Sequence, residues 1–341
     1  IIEDNHIHHI NNMMELGGAE IAGIKMHAAI DVTMRRNHIH HCTMGIWCDW
    51  EAQGTRLSQN LLHDNQRPPF ASVLKGGMMS QDIFVEVGHG PTLIDNNIML
   101  SDASLRFATE GVALVHNLIC GALTCVGGGT GPRYTPYHMP HRTEVMGFMT
   151  VLHGDDRFYN NIFVQKWPSD DIITMHDSDD GFDTENRAAG TWMFDEYPTY
   201  DEWISQFDFS KPADMAKLYG AHEGKLPVWI EGNAYLGGAK PSKKDVNALI
   251  SAVAREDVRV ELVQKEDGYY LDTNVYELIE GFKNRMIDSD VLGKAFEPEE
   301  RFENPDGTAI RFDSDYFGTH RGVDVIPGPF ASKEEAAKKL Y

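Results

Sequence analysis

Two carboxylates, Asp49 and Glu86, occupy the same place in two segments that can be written one beneath the other, Ile46-Trp47-Cys48-Asp49 and Ile83-Phe84-Val85-Glu86; Ile24-Lys25-Met26-His27 fits above them. The first and third residues of each are apolar and the others face the opposite way, as in a strand with one buried face. As neighbouring rungs of a parallel stack, the segments would set Asp49 and Glu86 side by side on the outer face at the strand spacing of about 4.7 to 4.9 Å. Two acids this close do not both ionise readily, so one is held protonated as a general acid while the other stays charged as a nucleophile. A retaining glycosidase places its carboxyl groups about 5 to 5.5 Å apart and an inverting one about 6.5 to 9.5 Å, and neighbouring rungs match the first case. The same outward columns hold His27, Trp47 and Phe84, whose rings suit the apolar face of a sugar, with Lys25 and Arg106 as charged members. The competing structural reading is that one acid merely pairs with Lys25, Arg56 or Arg106.

Stacking of this kind requires a repeat, and a second set of columns supplies it. Asn37, Asn60, Asn97 and Asn117 each have an apolar residue two places later (Ile39, Leu62, Met99, Ile119) and another three places earlier (Met34, Leu57, Ile94, Leu114). The asparagines are 23, 37 and 20 residues apart, and the long interval shortens if residues 67–80 are a loop between rungs. Such periods signal a solenoid, here all-β and parallel, with a stacked asparagine at each turn. Asn161 with Phe163, and Asn233 with Tyr235, continue the rule.

The chain has 341 residues, four cysteines and a formal net charge of −22 from 52 acidic and 30 basic side chains. That charge disfavours nucleic acid and anionic membranes and favours a neutral ligand such as a small oligosaccharide. Mean hydropathy is −0.38, with no apolar run near a bilayer span. Cys42, Cys48, Cys120 and Cys125 are read as free thiols, with Cys48 inward. The blocks Asn5-His6-Ile7-His8-His9 and Asn37-His38-Ile39-His40-His41 are read as imidazoles stacked outside an inward isoleucine, not as a metal site. No metal and no cofactor is expected.

In order along the chain, residues 1–165 read as rungs carrying the site, 166–230 as a loop and short-helix insertion, and 231–341 as a further rung, a helix, a hairpin and C-terminal segments packed on the body. The glycine run 127–132 lacks the lysine and helix of a phosphate loop, and Asp177-Ser178-Asp179-Asp180-Gly181 has its glycine one place early for a calcium loop. Thr199-Tyr200-Asp201-Glu202 is a capping box, 212–218 a second helix closed by Gly220, 242–254 a third helix, and 258–263 with 269–275 a hairpin turning at Asp267-Gly268. The chain begins with Ile inside a repeat, so an upstream part is expected to be missing, with any signal peptide it carried. Localisation stays open, the bacterial cytoplasm being favoured over secretion, and self-association into a homo-oligomer also stays open.

The runs Trp47-Cys48-Asp49-Trp50-Glu51-Ala52-Gln53-Gly54-Thr55-Arg56, Asp82-Ile83-Phe84-Val85-Glu86-Val87-Gly88-His89-Gly90-Pro91, Arg133-Tyr134-Thr135-Pro136-Tyr137-His138 and Phe158-Tyr159-Asn160-Asn161-Ile162-Phe163 resemble the family-120 glycoside hydrolases, which are β-xylosidases. The resemblance implies a right-handed parallel β-helix and a retaining mechanism releasing xylose from xylo-oligosaccharides, with Asp49 as nucleophile and Glu86 as acid/base. It also makes Trp50, Arg56, His89, Tyr134, Tyr137 and His138 candidate substrate-binding residues beside His27, Trp47 and Phe84. The family's upstream portion, including a β-sandwich, has no counterpart in this sequence, and residues 67–80 are an insertion between the catalytic rungs. The alternatives are a β-helix polysaccharide lyase or polygalacturonase, which would want a more basic cleft, and a non-catalytic carbohydrate-binding or adhesin β-helix.

Overall fold

A computed structural model describes residues 1–13, 20–66, 80–125, 134–167, 189–211 and 225–341, with the backbone of 176–177 and 182–183. The insertion at 67–79, the glycine run with Arg133, most of the acidic loop near 178–181 and the helix expected at 212–218 lie outside the described residues.

The described residues are mostly β, in three parallel sheets that the chain visits in rotation. Sheet I stacks Ile24–His27, Ile46–Asp49, Ile83–Glu86, Ala103–Ala108 and Ala122–Cys125. Sheet II runs from Ile2–Glu3 through Thr33–Arg35, Thr55–Ser58, Thr92–Asp95, Val112–Val115 and Asp156–Tyr159 to Val228–Glu231. Sheet III starts at His6–His8 and His38–His40 and passes through Leu61–His63, Ile98–Met99, Leu118–Ile119 and Ile162–Val164 to Ala234–Leu236 and Leu249–Ile250. This order is consistent with the expected parallel solenoid.

The corner between sheets II and III is where the asparagines stand. Asn5, Asn37, Asn60, Asn97, Asn117, Asn161 and Asn233 form one continuous ladder, each Nδ2 donating to the next Oδ1 at 2.9 to 3.1 Å. Each Oδ1 from Asn37 onward also accepts the main-chain N–H of the asparagine one coil earlier, as Asn97 Oδ1 does from Asn60 at 2.9 Å. The residue before each ladder asparagine, Asp4, Arg36, Gln59, Asn96, His116, Asn160 or Gly232, has a positive φ. Left-handed backbone folds the chain sharply here, and the ladder's bonds hold non-glycine residues in it. The ladder ends on Asp245, whose Oδ2 accepts from Asn233 at 3.0 Å and from the Tyr235 hydroxyl at 2.6 Å.

The inward columns form one core, including Met34, Ile39, Ile46, Cys48, Leu57, Leu62, Ile83, Val85, Ile94, Met99, Leu114 and Ile119. Among the described residues sheet I ends at Ala122–Cys125, and beyond it the 3-10 helix Trp192–Glu196 packs on that side, with Phe194 4.7 Å from the Phe158 ring and the Tyr197 hydroxyl 3.1 Å from Cys125 Sγ. The outer faces of the other two sheets are covered as well. Leu61, Ile98, Leu118 and Ile162 of sheet III pack under Val260, Leu271, Tyr276, Phe330 and Leu340, and Leu93, Ala113, Val115 and Tyr159 of sheet II under Ile287, Leu292, Phe302 and Phe312. These strands are therefore apolar on both sides, as doubly covered sheets are.

The expected hairpin is present as Val260–Lys265 with Gly268–Thr273, and the Thr199 capping box opens the helix Tyr200–Ile204. The helix expected at 242–254 is not formed. Its start residues are used elsewhere, Ser242 donating to Asp195 and Asp245 closing the ladder, while Leu249–Ile250 joins sheet III. The histidine blocks stack as expected; His6, His8 and His9 of the first stay exposed, while His38 is buried beside Tyr269 and Tyr341 and His40 beside Tyr269. Burial first, then the neighbouring imidazoles, lowers His38 to about 2 and His40 to about 3. No helix among the described residues is long and apolar enough to cross a membrane.

Asn97→Ala removes an acceptor for Asn60 and donors to Leu57 O and Asn117 Oδ1 inside the protein. It should destabilise the fold by about 3 kcal/mol or more in urea unfolding, since each orphaned buried group costs roughly 1 to 3 kcal/mol. Asn5, which is exposed in this chain, should cost under about 1 kcal/mol as Asn5→Ala.

Candidate active site

Parallel pairing sets the site's register. Ile46–Asp49 pairs with Ile24–His27, His27 opposite Asp49, and with Ile83–Glu86, Trp47 opposite Phe84 and Cys48 opposite Val85. Continuing that register by one residue brings Glu86 beside Asp49 at the strand ends. On the next strand Glu86 faces Ala108, whose methyl leaves room for the carboxyl. Ile46 and Cys48 point into the core, whereas Trp47 and Phe84 join Met44 and Ala108 in a separate outer cluster.

The two acids have different surroundings. Asp49 is buried, 5% exposed, and its Oδ2 takes the Lys25 ammonium, which also bonds Glu20 and lies 4.3 Å over the Trp47 ring. Burial opposes the charge on Lys25, but the bonds to Asp49 and Glu20 outweigh it and raise its pKa. Glu86 is half-buried and accepts from Trp47 Nε1 at 3.0 Å. Burial, followed by the charge of Asp49 and a hydrogen bond with it, raises Glu86 to about 7, against the opposing pull of the Trp47 N–H and Arg106. One acid held beside a lysine and the other biased toward its protonated form can serve as nucleophile and proton donor.

The turn after Asp49 anchors the next wall. Gln53 Nε2 donates to His138 O at 2.9 Å, and its Oε1 accepts from His138 N at 2.9 Å. These bonds dock the antiparallel pair Tyr134–His138 and Val145–Thr150 against the turn. Tyr134 is 62% exposed and Tyr137 half-buried, and Trp50 stacks on the exposed His27 at 6.3 Å between centroids.

Four of the expected ligand contacts are placed otherwise. Phe84 is fully buried and Trp47 3% exposed, so these rings support the pair from beneath, with Arg106 5.3 Å over Phe84, and present no open face to a sugar. Arg56 is carried round the corner onto sheet II, where its fork holds Asp95 at 2.8 and 3.0 Å beside Phe312, away from the acids. His89 is buried with both ring nitrogens engaged, Nδ1 with Glu110 at 2.5 Å and Nε2 with Thr135 O at 3.2 Å, and so braces the Tyr134–His138 strand. Gln53, Glu110 and Glu300, which shape this wall, were not singled out from sequence. Gln53 lies inside the motif running from Trp47 to Arg56, but nothing local marks its long-range partners. An open cleft of about 400 Å³ bounded by Tyr159, Tyr200, Trp229 and Lys244 contains none of the candidate residues.

The chain is similar to XylC. A solved structure of XylC in complex with xylose matches it with a TM-score of 0.80 and 33% sequence identity, covering 99% of this chain and 48% of the XylC chain. The chain thus spans about half the length of XylC. No family model matches the sequence, and no curated protein does. The XylC match extends over nearly the whole chain, so the coils bearing Asp49 and Glu86 fall within it.

The environment of Glu86 has a measurable consequence. Carboxyl-selective 13C NMR should show Glu86 titrating near 7. Asp49→Asn, which removes the facing charge, should move it down by about one unit or more, and Trp47→Phe, which removes a donor to the ionised form, should move it up.

Proposed function

We propose that this protein is a retaining β-xylosidase of the family-120 kind, built on a right-handed parallel β-helix. The observation that carries the reading is the Asp49–Glu86 pair on adjacent parallel strands, with Glu86 raised to about 7. The likeness to XylC, whose structure holds xylose, supports the choice of sugar. The three-segment organisation, with residues 166–230 as an insertion and 231–341 packed on the coils, belongs to the same proposal.

Asp49 attacks the anomeric carbon while protonated Glu86 gives its proton to the leaving oxygen, forming a glycosyl-enzyme ester. The ionised Glu86 then takes a proton from water as that water cleaves the ester, which returns both acids to their starting states. Lys25 holds the attacking carboxylate in place, and the Trp47 N–H supports Glu86 when it is charged. Trp50, His27, Tyr134 and Tyr137 form the proposed sugar-binding wall, and the buried His138, whose main chain bonds Gln53, holds that wall against the turn. Strand spacing of about 4.8 Å leaves no room for the water that inversion needs between carboxylate and anomeric carbon.

Proton NMR in the first minutes of hydrolysis should therefore show β-xylose from a β-xyloside before mutarotation. First appearance of the α-anomer would rule out this pair as the retaining machinery, and an unsaturated, ultraviolet-absorbing product would indicate a lyase.

Asp49→Gly should lower turnover by about a thousandfold or more, with azide restoring part of it as a glycosyl azide of inverted configuration. Glu86→Ala should spare nitrophenyl xyloside, whose leaving group needs little protonation, more than xylobiose. Exchanged phenotypes would reverse the roles, and retained sugar binding without turnover in the unsubstituted protein would mark a binding module.

A further inference from the structure

Three segments far apart in sequence bring nitrogen and oxygen donors together behind the turn that carries Gln53. Asp31 comes from the connection between Ile24–His27 and Thr33–Arg35, His141 from the loop closing the Tyr134–His138 and Val145–Thr150 pair, and Glu300 and Glu303 from the C-terminal segment. His141 Nδ1 lies 2.9 Å from Asp31 Oδ1 and 4.0 Å from Glu300 Oε1, and Nε2 lies 3.4 Å from Glu303 Oε1. One donor atom from each of Asp31, His141 and Glu300 falls within 4.8 Å of the others. Gly54 makes this approach possible. Its φ is +65°, and a Cβ there would stand 2.3 Å from Asp31 Oδ1 and 2.8 Å from Glu300 Oε1, so a side chain would drive the two carboxylates apart.

Glu300 sets this cluster apart from an ordinary surface ion pair. It is 1% exposed, and its Oε2 accepts from Gln53 Nε2 at 2.7 Å. Its Oε1 is buried and makes no hydrogen bond among the described residues, yet it faces the His141 imidazole. A buried carboxylate oxygen left without a donor is costly unless a cation meets it. The cations facing the cluster are His141, when protonated, and Arg301, which is shared between Glu303 at 3.3 Å and Asp290. His141 Nδ1 is within ion-pair reach of Glu300 Oε1 at 4.0 Å but beyond hydrogen-bond length, and Arg301 is engaged with Glu303 and Asp290 instead.

We propose that Asp31, His141 and Glu300 form a binding site for a divalent transition-metal ion of the zinc or manganese class. One imidazole nitrogen with carboxylate oxygens suits such ions, whereas calcium takes an all-oxygen shell. The sequence carries an expectation of no metal anywhere in the chain, and this proposal departs from it because the members of the cluster converge only through the fold. The bound ion would tie the first coil, the 134–150 pair and the C-terminal segment to one another, and through Glu300 and Gln53 to the turn following Asp49. The inference is independent of the sugar proposed for the active site.

The test is isothermal titration of the full chain, stripped with EDTA, with zinc chloride and separately with manganese chloride, together with thermal unfolding at saturating ion. One ion should bind per chain at this site and raise the Tm. Asp31→Asn, His141→Ala and Glu300→Gln should each weaken binding by about tenfold or more, as expected for loss of a ligand or its support, and should remove the Tm rise. His40→Ala should leave this binding unchanged, which separates the site from the histidine stack. Asp31 and His141 are partly exposed, so their variants decide the matter if Glu300→Gln fails to fold. The proposal is overturned if neither ion binds the unsubstituted protein at millimolar concentration, or if binding survives Asp31→Asn and His141→Ala. It is equally overturned if His40→Ala abolishes the binding, or if calcium binds while zinc and manganese do not.

Discussion

The asparagine ladder at one corner of the stack is the constraint on which the rest depends. Each rung's amide accepts and donates along the same line, from Asn5 to Asn233, so a slip of one residue in any coil would break bonds to the coils above and below. Because side chains alternate faces along a strand, such a slip would also turn Asp49 or Glu86 into the core. Fixing the corner therefore fixes the face on which the acids stand, with Trp47 opposite Phe84 as the neighbouring pair.

Burial then divides the labour among the sheets. The C-terminal segments cover the outer faces of sheets II and III with Phe302, Phe312, Tyr276 and Phe330, while the outer face of sheet I keeps Lys25, Asp49, Glu86 and Arg106. A strand covered on both sides has no place for a working acid except in an ion pair, which is what became of Arg56 and Asp95. The raised pKa of Glu86 follows from the same enclosure. In open water two carboxylates would both ionise at neutral pH, whereas on this half-buried face burial and mutual repulsion raise Glu86.

The residues that dock the Tyr134–His138 strand show how far the wall of the site relies on distant parts of the chain. Gln53 reaches His138 and Glu300, and His89 reaches Glu110 and Thr135. Their partners lie tens to hundreds of residues away, and each bond crosses between elements with no common sequence period.

By itself the sequence determined the stack and the adjacency of its acids, because coil-to-coil contacts recur at short, repeating intervals: the Asn columns, the inward Ile39, Leu62, Met99 and Ile119, and the alternation through Ile46 and Cys48. It also marked local devices such as the Thr199 capping box, whose partners lie within one turn. The tertiary structure alone decided which outward residues meet solvent. Trp47 and Phe84 have the same alternation as Glu86, which stays half-exposed, yet the packing of Met44 and Ala108 around them closes their faces. It likewise drew Asp245 out of an expected helix to end the ladder, and gathered Asp31, His141 and Glu300 from three separate segments. Periodicity reports which face a side chain takes, but burial on that face depends on what packs over it, and here that material comes from parts of the chain outside the repeat.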